Sequence, residues 1–390
     1  MVDLPRSSGR SGRPGSGSRG VSNRSSTSIF SLKSIDVILV TVVIALSGFG
    51  LLMISSATRE GLLADGLDPN RYLKKQIMFM VLGLGLMIAV AASDLRSLLD
   101  YSPIFYGVSI VSLLGLFFVA AKRGSRGWYD IGVFQLQPAE FSKIVVILVL
   151  ANYVSEQQGL VDLRRLLAVL AITALPAGMI FLQPDLGSAL VYFCVMLGIL
   201  WVGGARGTHI ASIIGTGTAA VFIGRRFGFV RDYQWRRLTS FLDGSANTRD
   251  DGYNVLQSKI AVGSGGLQGQ GLFKGTQTSY GFIPERQTDF IFSVIGEQLG
   301  LVGGCVVLVL LMVLCLRIWR VAVTARDTAG TLVCIGVLAM FVFQTFQNIG
   351  MTIGIMPVTG IPLPFVSYGG SSIFTAFAGI GLVLNVARQR

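Results

Sequence analysis

IPERQTDFIFSVIGEQLG, residues 283–300, sets four charged side chains around the start of a long apolar run: Glu285, Arg286, Asp289 and Glu297. The run continues to about residue 316, beyond the roughly 18 residues a helix needs to cross a bilayer. The stretch therefore reads as a membrane helix entered through a charged collar, and its reading decides the fold.

Working outward, nine more apolar segments have helical length, near 35–54, 76–93, 103–121, 140–155, 166–182, 186–203, 208–224, 328–350 and 366–387. Pro176 and the Gln183-Pro184-Asp185 break divide the run from Val161 to Gly203. The bulk composition agrees. Of 390 residues, 52% are hydrophobic and 13% charged, with a mean hydropathy of +0.66; soluble domains carry about 25% charged residues. The expectation is an all-α polytopic membrane protein with ten spans in one domain, 34–390. A Ser/Gly/Arg-rich tail, 1–33, precedes it, too polar to bury a core and expected to be disordered and cytoplasmic. The first apolar segment is too long for a signal-peptide core and reads as a retained span.

The net charge of +12 does not mean nucleic acid, because the bases are scattered through loops rather than gathered on one face. Their distribution carries topology instead. With the N-terminus inside, cytoplasmic segments hold 15 of the 32 bases and the two short outer loops, 58–75 and 122–139, hold seven. Long loops are discounted in this rule, so both termini are expected in the cytoplasm and the polar segment 225–288 outside. Chemistry there has no access to cytoplasmic nucleotide donors. Cys194, Cys305, Cys315 and Cys334 all lie in apolar runs without metal-ligand spacing, and His209 is the only histidine. Disulfide frameworks, zinc sites and histidine catalysis are thereby excluded.

Charges inside spans cost about 2.5–3.5 kcal/mol each on insertion scales and face a partner or a cavity. Glu140 and Lys143, in QPAEFSK, share a helix face at i,i+3, fitting either a packing ion pair or a cavity lining. Gln344, Gln347 and Asn348 form a second polar stripe, which interhelical hydrogen bonds alone would explain. Asp185 follows Pro184 where a span begins, and a helix cap is the simple reading. Seven glycines between 263 and 281 match no phosphate-loop spacing and suggest flexibility, although Lys259, Lys274, Arg231, Arg236 and Arg237 in the same loop would suit an anionic lipid head group. Asp289, after Thr288, reads as a cap, as a general base with a raised pKa, or as a ligand for a divalent cation on pyrophosphate.

PERQTDFIFSVIGEQLG (284–300), QPAEFSK (137–143), QPDLGSALV (183–191) and TGIPLPFVSYGGSS (359–372) together resemble the signatures of the SEDS family, the shape, elongation, division and sporulation glycosyltransferases. The resemblance spans nearly the whole chain after the tail, and GTQTSYGFIPER looks like the elongation branch rather than the division branch. It implies a ten-span enzyme polymerising lipid II, on an undecaprenyl carrier, into glycan at the outer face of the cytoplasmic membrane. Asp289 matches the family's loop aspartate, Glu140 and Lys143 its paired charges, and Asp185 its QPDLG aspartate. A class B penicillin-binding protein is the implied partner. Magnesium or manganese is the one cofactor this chemistry admits, and no organic cofactor is expected. Glu285, Arg286, Lys259, Lys274, Gln344, Gln347 and Asn348 complete the candidate substrate-contact or cavity residues. Gln287 stands where the family commonly has His, and Gly127 where an Arg is frequent. Two other functions fit the pattern less well: a lipid II flippase, in which the intramembrane charges outrank Asp289, and a non-catalytic scaffold for the penicillin-binding protein.

Overall fold

The computed structural model describes residues 36–119, 127–132, 134–156, 161–228, 235 and 251–389. The tail and the loop bases Arg231, Arg236 and Arg237 lie outside these residues. The helices, in chain order, are α1 (Val37–Ala64), α2 (Arg71–Ala92), α3 (Leu95–Asp100), α4 (Ser102–Gly115), α5 (Pro138–Ser155), α6 (Leu163–Leu182), α7 (Leu186–Val202), α8 (Gly207–Arg226), α9 (Asp251–Gly265), α10 (Thr276–Ser279), α11 (Ile291–Val323), α12 (Thr328–Ile353) and α13 (Gly370–Arg388). A short antiparallel hairpin, β1 (Tyr129–Ile131) and β2 (Phe134–Leu136), leads into α5.

The sequence starts these helices by recognisable means. Asp36, Asp162, Asp185 and Asp327 each accept a hydrogen bond from the backbone N–H three residues on, capping α1, α6, α7 and α12. Each such cap contributes about 1 kcal/mol. Pro138 opens α5, where its missing N–H would be unpaired in any case. Gly354, at φ +78°, closes α12 in the left-handed conformation.

Among the described residues, eight helices, α1, α2, α5, α6, α8, α11, α12 and α13, are long and apolar enough to cross a membrane. Ser102–Phe118, which is α4 with a following 3-10 turn, and α7 are shorter apolar helices at the other two expected positions. In such surroundings helices associate by close packing rather than by the hydrophobic effect. Gly381 of α13 lets the α2 backbone approach so closely that an added Cβ would lie 2.8 Å from the Met87 carbonyl oxygen. α13, α5 and α12 are the most enclosed helices and α8 the least.

Four boundaries differ from expectation, each for a physical reason. α1 continues ten residues past the apolar stretch ending at Ile54, as a polar overhang. α13 begins at Gly370 rather than 366, because Pro362, Pro364 and the glycines before it break the helical ladder. α11 extends to Val323 but is interrupted at Gly300, at φ 63° and ψ −158°. The fourth change concerns 225–288, which is not simply a polar loop. α9 packs against α11 and α12, with Ser258 fully buried, its hydroxyl paired with Ser293 at 2.5 Å and donating to the Thr352 carbonyl at 2.6 Å.

The glycines after α9 serve this packing rather than flexibility. Gly271 and Gln270 donate backbone N–H groups to the carbonyls of Gln298 and Glu297, while Leu301 and Val302 donate to Gly266 and Leu267. The glycine segment thus satisfies groups freed by the break in α11. A Cβ at Gly269 would sit 2.2 Å from the Gln298 carbonyl oxygen, so backbone lies directly on backbone.

Candidate active site

Asp289 is not the cap of α11. Phe290 holds that position, and no side chain caps the helix. The Asp289 carboxylate instead lies against the segment between α12 and α13, where a Cβ at Gly360 would come 3.2 Å from Oδ2. Gly360 has φ +70°, a conformation that favours glycine, and a Cβ there would press on the carboxylate. Asp289 itself is half-buried.

The backbone around it is held from several sides. The Glu285 carbonyl accepts from the N–H groups of Thr288 and Asp289, both at 3.1 Å, while Glu285 adopts φ +48°. Ser367 donates its hydroxyl to the Thr288 carbonyl at 2.6 Å, and Tyr368 N–H donates to the Gln287 carbonyl at 2.8 Å. From α12, Asn348 Nδ2 donates to the Asp289 carbonyl at 2.8 Å and to that of Ile361 at 2.8 Å. Phe365, at φ +63°, is a second non-glycine residue in the left-handed region beside this site. Such conformations cost on the order of 1–3 kcal/mol each and persist where the surroundings enforce them.

The other motifs meet the same segment. Gly187, in QPDLG, packs so tightly that a Cβ there would lie 2.5 Å from the Thr359 carbonyl oxygen. Asp185 caps α7 through Ser188, as expected, and its Oδ2 also accepts from Gln137 Nε2 at 3.3 Å. Gln137 N–H in turn donates to Ser371 Oγ at 2.9 Å. Residues 357–371 are therefore the hub on which PERQTDF, QPAEFSK and QPDLG converge.

Of the remaining candidates, Glu140 and Lys143 form a buried ion pair at 2.6 Å inside α5, and Glu140 Oε2 has no hydrogen-bond partner. The polar stripe on α12 does not bond between helices. Gln347 Nε2 donates to the Pro357 carbonyl at 2.7 Å, and Gln344 lines a small hollow with Pro362, Leu363 and Ser372. The Gln347 and Asn348 amides fasten the 357–371 hub. Lys259 and Lys274 are exposed. The Lys259 stem crosses Gly354 at the C-terminus of α12, a favourable end for a cation. Arg286 donates Nε–H to the Ala57 carbonyl on the α1 overhang at 2.6 Å. Burial lowers its pKa, with nearby Glu60 opposing, and the guanidinium stays charged.

Glu297 belongs to the loop rather than to the collar around Asp289. It is 0% exposed and accepts from Gln277 N–H at 2.6 Å, Thr278 N–H at 3.0 Å and Thr278 Oγ1 at 2.5 Å, anchoring α10. The residues that sequence reasoning passed over are Gly360, Ile361 and Ser367. TGIPLPFVSYGGSS stood out only as a family signature, and its Pro/Gly punctuation was the local signal. Among the described residues no three His, Cys, Asp or Glu side chains cluster as metal ligands.

A bundle of apolar helices with a half-buried carboxylate packed against the glycine-bearing segment between α12 and α13 defines a multi-pass membrane protein with a site at one end of its helices. The family model described as cell cycle protein, FtsW/RodA/SpoVE, matches residues 36–390, and the chain belongs to that family. It is 33% identical to the peptidoglycan glycosyltransferase MrdB of Escherichia coli K12, over 91% of this chain and 94% of that one. A chain from a peptidoglycan synthase complex that coordinates polymerization and crosslinking superposes with a TM-score of 0.76 at 30% identity, covering 91% of this chain and 98% of that one. The rod shape determining protein RodA of Thermus thermophilus superposes with a TM-score of 0.68 at 29% identity, covering 91% and 97%.

Proposed function

We propose that this chain is a peptidoglycan glycosyltransferase that polymerises lipid II into β-1,4 glycan at the outer face of the bacterial cytoplasmic membrane. The observation that carries this reading is the convergence of separated motifs on Asp289, whose carboxylate is held against Gly360 by a hub built from the others. Asp289 takes the proton from the acceptor sugar's 4-hydroxyl as that oxygen bonds to the donor's anomeric carbon. The carbon–oxygen bond to undecaprenyl pyrophosphate breaks in the same displacement. An α-linked donor giving a β-linked product requires inversion, so no covalent enzyme intermediate forms.

Fixing the Asp289 backbone from α12 and the hub supplies the orientation such a step depends on. Lys259 and Lys274 are the loop cations this reading assigns to anionic groups, with Glu285 and Arg286 beside the acceptor. A divalent cation, magnesium or manganese, shared by Asp289 and the phosphate oxygens, would neutralise charge on the departing pyrophosphate. Asp185, through Gln137, ties the start of α7 to the start of α5 beside the hub, while the Glu140–Lys143 pair is buried within α5. The topology that goes with this reading has ten crossings and both termini cytoplasmic, with 225–288 outside. GTQTSYGFIPER favours the elongation, RodA-type role in cell shape over the division, FtsW-type role. Similarity to a chain of a peptidoglycan synthase complex supports a class B penicillin-binding protein as partner.

Labelled lipid II added to the outside of proteoliposomes tests the reading, with the partner present and its transpeptidase blocked by penicillin. Glycan polymer formed without nucleotide or ion gradient is expected. Movement of lipid II between leaflets without polymer would replace this reading with a transporter, and the chelator-treated sample reports on the cation.

A further inference from the structure

We infer that Asn348 is a positioning residue that sets the gap between the Asp289 carboxylate and Gly360; the inference rests on the proposed role of Asp289. Asn348 sits on α12 with no exposed surface. Its Nδ2 group is forked, one hydrogen to the carbonyl of Asp289 and one to that of Ile361, each at 2.8 Å. Both partners are pure acceptors, so the amide orientation is fixed: nitrogen faces the two carbonyls and oxygen faces away. That oxygen, Oδ1, is buried without a hydrogen-bond partner.

A buried amide oxygen left unsatisfied is unfavourable, and native structures usually avoid it. Here it is the consequence of using both donors on one side. The two carbonyls belong to the two walls of the site. Asp289 is the residue whose carboxylate faces the hub, and Ile361 follows Gly360, the residue that this carboxylate faces. A single planar group thus spans the two walls and fixes their separation. Asn348 touches the backbone of both and needs no contact with substrate, so it acts through Asp289.

The chemistry predicts an unusual order of substitutions. Asn348→Asp preserves shape but turns carboxyl oxygens toward both carbonyls and removes both amide donors, the protonated acid restoring at most one. Asn348→Ala removes the same donors and leaves a small cavity without repulsion. A residue that only filled space would suffer more from Ala; a residue that holds two carbonyls suffers at least as much from Asp. Gly360→Ala pushes on the same gap from the opposite wall, leaving Asn348 intact.

The test is steady-state polymerisation of lipid II by the full chain with its partner, alongside thermal unfolding of each variant in detergent. Asn348→Asp is expected to lower kcat about 100-fold, the scale of a misplacement near 1 Å, with KM for lipid II unchanged and Asn348→Ala no worse. Gly360→Ala is expected to lower kcat in the same way. A raised KM with kcat retained would make Asn348 a substrate contact and overturn the proposal. So would a larger loss for Ala than for Asp. If Asn348→Asp fails to fold, Gly360→Ala decides, and unchanged kcat there overturns it. A wild-type protein making no polymer at all would instead defeat the function on which the inference rests.

Discussion

At the scale of single residues, the buried Glu140–Lys143 pair shows how charge is tolerated inside α5. The two groups meet at 2.6 Å with almost no exposed side-chain surface. Removing one partner leaves the other uncompensated, so Glu140→Gln or Lys143→Met should destabilise by about 3–5 kcal/mol. The double substitution should restore much of that loss, and thermal unfolding in detergent measures both. Spacing placed the two on one helix face, since i,i+3 residues are neighbours, but left open whether they pair or line a cavity. Asp289 was legible as unusual but not in its surroundings. A cap and a displaced carboxylate have the same local sequence, and only the tertiary contact with Gly360 separates them. The same limit hid the role of Asn348, because its partners are backbone carbonyls 59 and 13 residues away.

At the scale of elements, α1 and α11 do more than cross the apolar layer. The α1 overhang carries Gly61, where a Cβ would lie 2.6 Å from Arg286 Nη2 and meets little else. Gly61→Ala should therefore favour the helix by about 1 kcal/mol in isolation yet displace Arg286. The expected result is a protein of unimpaired expression whose glycan synthesis falls several-fold, read from initial rates. α11 is interrupted so that the glycine segment can pair with it, and Glu297 pins the adjoining turn. Glu297→Gln places an amide among N–H donors, and losing hydrogen bonds to a charged acceptor should cost about 1.5–3 kcal/mol locally. Faster hydrogen exchange across 275–282 would report it. The sequence shows an apolar run with a glycine at 300, and hydropathy cannot distinguish that from an unbroken span. The ladder between 266–271 and 297–302 is a long-range pairing that local periodicity does not encode.

At the scale of the whole molecule, apolar segments of helical length were readable because bilayer thickness imposes their length; helices lie at the expected positions, eight of them, among the described residues, long and apolar enough to cross a membrane. The hub at 357–371 was not, because its importance comes from what packs on it rather than from its own composition. The proposed orientation follows the Lys/Arg distribution and is open to direct test. A cysteine replacing Lys274 should react with a membrane-impermeant thiol reagent in spheroplasts. One replacing Arg326, between α11 and α12, should react only after permeabilisation; the reverse pattern would invert the topology and detach the site from the outer face. The central claim, that Asp289 on its hub makes this chain a polymerase, is tested most directly by a glycan gel. Purified wild type and Asp289→Ala are each incubated with labelled lipid II and the partner, with transpeptidation blocked. Long glycan from the wild type and none from Asp289→Ala is the predicted result, and polymer of equal length and yield from both would contradict it.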